Sequence, residues 1–243
     1  MAEIPYHYDE FLADYYSWMF GDFEEKTQAN YDYFLSKKLI PGQSTIAFDL
    51  GAGSGFQSIA LARLGFNVTA IDLCSKLLDE LKSKSGKLPI RTIKDNLLKI
   101  ANYSNAEAEL VTCMGDTLTH LPSVEKVEAL FREVHRSLMK EGRFVLTFRD
   151  YSHALEDAEQ IIPVRSDKNT IFTCFLEYEP DRVKVFDIVY ENLHGQWHMR
   201  KSFYYKLRIS PTLVETLLTK TGFMINTGKT GGGMTEVVAR KMS

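Results

Sequence analysis

The run Ile46-Ala-Phe-Asp-Leu-Gly-Ala-Gly-Ser-Gly55, answered by Asp72, constrains this chain more than any other stretch of it. Ile46 to Leu50 reads as a short buried strand bounded by a glycine-rich turn. Glycines at 51, 53 and 55 let the backbone approach a ligand closely and take positive φ without a Cβ penalty. Residues 57–64 (QSIALARL) have the spacing of an amphipathic helix, and Gly65 is its stop signal. Residues 66–71 (FNVTAI) form a second strand with Asp72 at its C-terminal end. Strand, glycine loop, helix, strand and acid together make the arrangement that holds a nucleoside, its ribose hydroxyls on the acid.

The glycine spacing narrows the ligand. A dinucleotide site needs G-x-G-x-x-G, because its helix N-terminus must meet a pyrophosphate. Here the third glycine comes one residue early, Phe56 stands in its place, and no P-loop lysine follows. Asp49, two residues before the first glycine, gives D-x-G-x-G-x-G, which suits a cation better than an anion. The stretch resembles motif I of the class I S-adenosylmethionine-dependent methyltransferases, whose donor carries a positive sulfonium and amino group. The resemblance implies S-adenosyl-L-methionine as cofactor, with Gly51, Gly53 and Gly55 shaping the methionine pocket and Asp72 taking the ribose. It also implies that Asp95 accepts from the adenine amino group and that Cys113, Met114 and Gly115 lend backbone groups near the amino end of the donor. Asp49, Ala52, Leu73, Asn96 and Leu97 complete the expected cofactor contacts. Asp95-Asn96 also reads as a helix or turn cap.

The rest of the core repeats the same unit. Residues 90–93 are a third apolar strand, and 110–116 (LVTCMGD) a fourth that closes in Gly-Asp. Ser123 is placed to cap a helix with apolar positions Val127, Leu130, Phe131, Val134 and Leu138. Glu141-Gly142 stops it, and 143–148 is a fifth strand. Repeated β/α units in this order predict a doubly wound, mostly parallel sheet with the ligand at the strand C-termini, which in the resembled family is a seven-stranded Rossmann-like sheet whose last strand runs antiparallel.

Beyond the core, 170–178, 183–191 and 199–208 are rich in Phe, Tyr, Val and Ile and separated by turn-forming stretches. They predict a three-stranded antiparallel meander inserted after the fifth strand, serving either as a lid and substrate wall or as a stabilising or dimer contact. Ser210-Pro211 starts a helix to Leu218, and 223–226 and 236–239 are the final strand pair around Gly231-Gly-Gly233. The expected organisation is therefore an N-terminal helical cap (1–40), a cofactor-binding core (41–152), an inserted β lid (153–208), and a closing helix and strand pair (209–243). Eleven of the first 34 residues are the aromatics Tyr6, Tyr8, Phe11, Tyr15, Tyr16, Trp18, Phe20, Phe23, Tyr31, Tyr33 and Phe34. Such a stripe either packs a core or holds a cation over its ring faces. Tyr15, Tyr16 and Trp18 are the ones expected to touch donor or acceptor.

Composition excludes other classes. A net charge of −3 gives no basic face for nucleic acid, and no 18-residue apolar run is present to span a membrane. The opening MAEIPYHYDEF lacks a charged n-region followed by an apolar core, so no secretory signal is expected and the reading is cytoplasmic. Cys74, Cys113 and Cys174 are odd in number and far apart, which predicts reduced thiols rather than a metal knuckle. His194 and His198 fall on a hairpin without a third ligand, so no metal is expected.

Two stretches narrow the resemblance. MGDTLTHL at 114–121 resembles the fourth-strand motif of the glycine and sarcosine N-methyltransferases, and FRDY at 148–151 their Arg-x-Tyr segment. This implies that Arg149, with Tyr151, binds the carboxylate of the acceptor, a task suited to a bidentate guanidinium. An ion pair with a neighbouring acid is the other role open to Arg149. Where the family carries asparagine this chain has Asp116, which would attract an ammonium or repel a carboxylate. His120 and His153, after the fourth and fifth strands, are the groups placed to act as a general base. The expectation is an S-adenosylmethionine-dependent methyltransferase acting on a small polar molecule, nitrogen favoured, with a homodimer open. The alternatives are a small-molecule O-methyltransferase, a non-catalytic nucleoside-binding protein and, disfavoured by Phe56, an NAD-dependent oxidoreductase.

Overall fold

The computed structural model describes residues 4–242. Strands β1 (Ile46–Leu50), β2 (Asn67–Asp72), β3 (Ile90–Lys94), β4 (Ala108–Cys113) and β5 (Leu138–Phe148) lie parallel in the order β5-β4-β1-β2-β3. β1 is buried from Ala47 to Leu50, as expected of a parallel strand covered on both faces. The covering helices are α3 (Phe23–Ser36) and α4 (Phe56–Arg63) on one face, around Phe34, Leu61 and Phe66. On the other face, α6 (Val124–Ser137) brings Val127, Leu130, Phe131 and Val134 onto Phe48 and Phe144, all of them buried. α5 (Ser75–Ser85) follows β2, and short helices α1 (Ile4–Glu10) and α2 (Tyr16–Phe20) precede the core.

One cap and one boundary differ from the sequence expectation. Ser123 occupies the cap position of α6, but its hydroxyl makes no capping bond. Leu138, expected in the last helical turn, instead opens β5 and pairs with Ala108, and the ladder shifts register before Leu110 and Arg143.

The insertion is a separate antiparallel sheet of β6 (Ile161–Ser166), β7 (Thr170–Tyr178), β8 (Arg182–Leu193) and β9 (Gln196–Leu207) in that order. It has one strand more than the expected meander. β6 escaped the sequence reading because Pro163 interrupts it: proline cannot donate to a ladder and is confined to edges and irregularities. β6 is indeed the edge strand, and its register slips between Pro163 and Arg165. Along β8 the burial alternates strictly, with Val183, Val185, Asp187 and Val189 turned inward.

The chain then returns through α7 (Pro211–Lys220), capped by Ser210 accepting from the Leu213 N–H, into β10 (Phe223–Lys229) and β11 (Thr235–Lys241). β11 lies antiparallel between β5 and β10, completing the sheet order β10-β11-β5-β4-β1-β2-β3. Among the described residues no helix is long and apolar enough to cross a membrane.

Candidate active site

The turns that follow β1, β2, β3 and β4 meet at one edge of the sheet, around a cavity of about 100 Å³. Of the candidate site residues, Gly51, Gly53, Asp72, Leu73, Asp95, Leu97, Gly115, Tyr16 and His120 line it, joined by Tyr8, Ile71, Cys74, Leu77 and Thr117. Gly51 has φ +70°, and a Cβ there would stand 2.3 Å from the Thr117 methyl, so only glycine fits. At Gly53 (φ +53°) a Cβ would press on the Tyr16 ring at 3.1 Å.

Asp72 ties this loop together. Its carboxylate accepts from the Gly53 N–H and the Cys74 N–H, both at 2.8 Å, and burial raises its pKa. Asp95 accepts from Lys99 (2.8 Å), Tyr103 (2.6 Å) and the Asn96 N–H (2.7 Å). The Lys99 ammonium first, then the Tyr103 hydroxyl, hold its pKa down at about 2. Among the described residues no lysine or arginine lines the cavity, so its formal charge is negative, the opposite of a phosphate site.

Other expected contacts sit elsewhere. Asp49 lies beneath the loop, accepting from Ser58 at 2.6 Å and Thr112 at 2.9 Å, and burial lifts its pKa to about 6. Ala52, Gly55, Asn96, Cys113 and Met114 also stand outside the cavity lining. Gly55 packs on Leu81, and the Asn96 side chain accepts from the Leu98 N–H as a cap. Trp18 points away: its indole donates to Asp167 at 2.9 Å, and the Arg165 guanidinium lies 5.5 Å from its ring. Tyr16 and Trp18 are two residues apart on a helix, so they face different sides, and Trp18 fastens the N-terminal segment to the β6–β7 turn.

A second chamber of about 390 Å³ adjoins the first, sharing Tyr8, Tyr16, Gly115 and His120 with it. Arg149, Tyr151, Asp116 and His153 line this one. Asp116 has φ +73°, a conformation that aspartate and asparagine tolerate better than most residues. Its carboxylate accepts from the Arg149 N–H (2.9 Å), the Tyr151 hydroxyl (3.1 Å) and the ammonium of Lys206, itself buried on β9. Asp116 is therefore neutralised within the protein. The Arg149 side chain is exposed and makes no ion pair among the described residues.

His120 stands at the junction. Its Nε2 lies 3.2 Å from the Tyr8 hydroxyl, its ring stacks on Tyr204, and its Nδ1 is buried without a partner among the described residues. Burial, then the Lys206 charge, depress its pKa well below 6.5, so the imidazole is neutral at physiological pH. His153 lies in the chamber wall but is exposed.

Lys206, Asp187, Tyr204 and Tyr8 also line the larger chamber, and sequence reasoning did not single them out. Asp187 accepts from the Cys174 thiol and is bonded to His7 Nε2, both at 2.9 Å. One signal could have found one of them: Asp187 interrupts the buried Val183, Val185 and Val189 face of alternating β8, where a charge needs a reason.

Residues 48–146 match the family model described as a methyltransferase domain. A glycine/sarcosine N-methyltransferase of Aphanothece halophytica is 24% identical over 143 residues, covering 58% of this chain and 52% of that protein. A ubiquinone biosynthesis O-methyltransferase of Xanthomonas campestris is 31% identical over 121 residues, covering 47% of this chain and 49% of that one. The chain thus spans about half the length of these curated relatives. CalS10 of Micromonospora echinaspora, an amino pentose methyltransferase solved with S-adenosylmethionine bound, shares the fold with a TM-score of 0.77 at 12% identity, over 95% of this chain and 97% of that one. Residues 48–146 thus match a methyltransferase domain, and they sit within a seven-stranded sheet whose fold is shared with an S-adenosylmethionine-dependent methyltransferase.

Proposed function

We propose that the protein transfers a methyl group from S-adenosylmethionine to a small polar acceptor, with nitrogen the favoured atom. The observation that carries this reading is the junction of the two cavities. A glycine-cradled, anionic pocket meets, at Tyr8, Tyr16, Gly115 and His120, a larger chamber that has Arg149 in its wall. The residues fit the donor. A carboxylate offers about four acceptor positions; Asp72 uses two of them on Gly53 and Cys74, leaving two for ribose hydroxyls. Asp95, with three bonds already made, retains one for an adenine amino group. When bound, the donor supplies a methyl group on a positively charged sulfur.

The chain's own task is then orientation and exclusion of water, which together can supply several kcal/mol, up to about 7–11 in well-aligned systems. Tyr16 lies close over Gly53, and Tyr8 stands with it in the wall of both cavities. Arg149 is placed to hold a carboxylate of the acceptor. An amine acceptor needs only to be neutral, whereas a hydroxyl needs a base. The names of the relatives include both N- and O-methyltransferases, and the unpartnered Nδ1 of neutral His120 favours oxygen as a second reading.

A thermal-shift titration with S-adenosylmethionine, S-adenosylhomocysteine, NAD and ATP tests the cofactor, since a ligand that binds only the folded state raises stability by mass action. A selective rise with the two adenosyl compounds is expected, and a response to NAD alone would overturn the reading. His120→Gln separates the two chemistries. A loss in kcat of about 10²-fold or more belongs to base-assisted oxygen transfer, and less than about tenfold to nitrogen. With its pKa depressed, His120 stays unprotonated as the pH falls through 6.5, so a base role predicts that activity persists below that value.

A further inference from the structure

The walls of the larger chamber are unlike those of a site built for a very small polar molecule. Inward positions of the antiparallel sheet supply Ile162, Phe172, Leu176 and Val185, and the N-terminal segment adds Leu12 and Met19. These come from strands and helices with no part in the glycine loop, so they are a feature of the acceptor side alone. At about 390 Å³ the chamber lies within the roughly 300–1,000 Å³ of sites that enclose drug-sized ligands. A glycine, with the bulk of a few waters at about 30 Å³ each, would leave most of the chamber unfilled.

The charges in the wall are accounted for one by one. Asp116 and Lys206 pair with each other. Asp187 is bonded to His7 and Cys174. Asp150 spends one oxygen on the N–H (2.9 Å) and hydroxyl (2.5 Å) of Ser152. His120 is neutral and His153 exposed. Arg149 is the cation in the wall with no ion-pair partner among the described residues.

We infer that the acceptor is an amphipathic carboxylate, with an aromatic or branched apolar body seated on the inner face of β6, β7 and β8 and its carboxylate on Arg149. This rests on the proposed methyl transfer and revises its acceptor from a polar molecule to an amphipathic one. Arg149 alone would admit any carboxylate; the wall selects for those with a body to bury, because apolar surface removed from water is the main source of affinity in such a pocket.

The test is calorimetric titration of the protein saturated with S-adenosylhomocysteine, using 4-phenylbutyrate, 4-phenylbutylamine, acetate and glycine as probes. The expected result is a dissociation constant for 4-phenylbutyrate at least tenfold below those of the other three. Arg149→Met should weaken that probe at least tenfold, and Leu176→Phe, which fills the wall, should weaken 4-phenylbutyrate but not acetate. Tighter binding of 4-phenylbutylamine would move recognition to Asp150 and overturn the charge assignment. Equal binding of acetate or glycine would overturn the role of the wall. If no carboxylate binds while S-adenosylhomocysteine does, the inference fails and the methyltransferase reading survives. Failure of S-adenosylhomocysteine itself to bind would sink that reading and the inference with it.

Discussion

A carboxylate buried behind the glycine loop has an energetic cost that varies with pH. Asp49 is 1% exposed and titrates near 6 in the fold against about 3.8 for a free aspartate. Because its folded pKa is raised, the fold prefers the protonated acid: the contribution is complete below about pH 4 and is lost as the pH rises through 6. At 1.36 kcal/mol per pKa unit the swing is roughly 3 kcal/mol. Asp49→Asn should therefore flatten the decline in stability between pH 4 and 6, read from urea midpoints at several pH values; an unchanged slope would clear Asp49 as its source. Gly55 gives a second prediction. An added Cβ would fall 2.1 Å from Leu81 Cδ1 at φ +93°, so Gly55→Ala should cost roughly 1–3 kcal/mol in thermal unfolding. A change within error would mean that α5 yields freely. The motif that reveals the cofactor site thus mixes two jobs. Gly51, Gly53 and Asp72 face the cavity, whereas Asp49 and Gly55 support the loop from behind. Spacing in the chain identifies all five and cannot say which side of the loop each one serves.

Elements that alternate or repeat were legible, and those that break their own pattern were not. β1 to β5 and α6 follow from apolar periodicity, while β6 was hidden by Pro163. On β9, Lys206 sits at an inward position and crosses to Asp116 at the end of β4, joining the inserted sheet to the core. A sequence can show that Asp116 replaces an asparagine, but the partner that makes the replacement tolerable lies 90 residues away. Lys206→Met would strand a buried carboxylate and should cost roughly 3–5 kcal/mol. Asp116→Asn combined with Lys206→Met should recover most of it, since an amide oxygen can still accept from the Arg149 N–H and asparagine tolerates positive φ. A double-mutant cycle by chemical denaturation measures the coupling; additive losses would show that the two charges do not depend on each other.

At the scale of the whole molecule, the N-terminal segment bridges two sheets that share no strand. His7 reaches Asp187 and Ser202 on the antiparallel sheet, Trp18 reaches Asp167, and Ser17 donates to Glu80 on α5. The aromatic crowding of this segment was visible in the chain, but helical spacing could not tell Tyr16, which faces the cavity beside the glycine loop, from Trp18, which does not. If Tyr8 and Tyr16 close over a bound donor, S-adenosylhomocysteine should slow amide exchange across residues 4–20 severalfold while leaving α7 unchanged, as read by hydrogen–deuterium exchange. Protection confined to the glycine loop would remove the segment from the site. Tyr8 and Tyr16 also belong to both cavities. Two ligands leaning on one pair of rings are thermodynamically linked: whatever factor the first contributes to the affinity of the second, the second returns to the first. Cofactor and acceptor would thus not be independent guests of this protein: a shared wall makes each a modulator of the other's affinity.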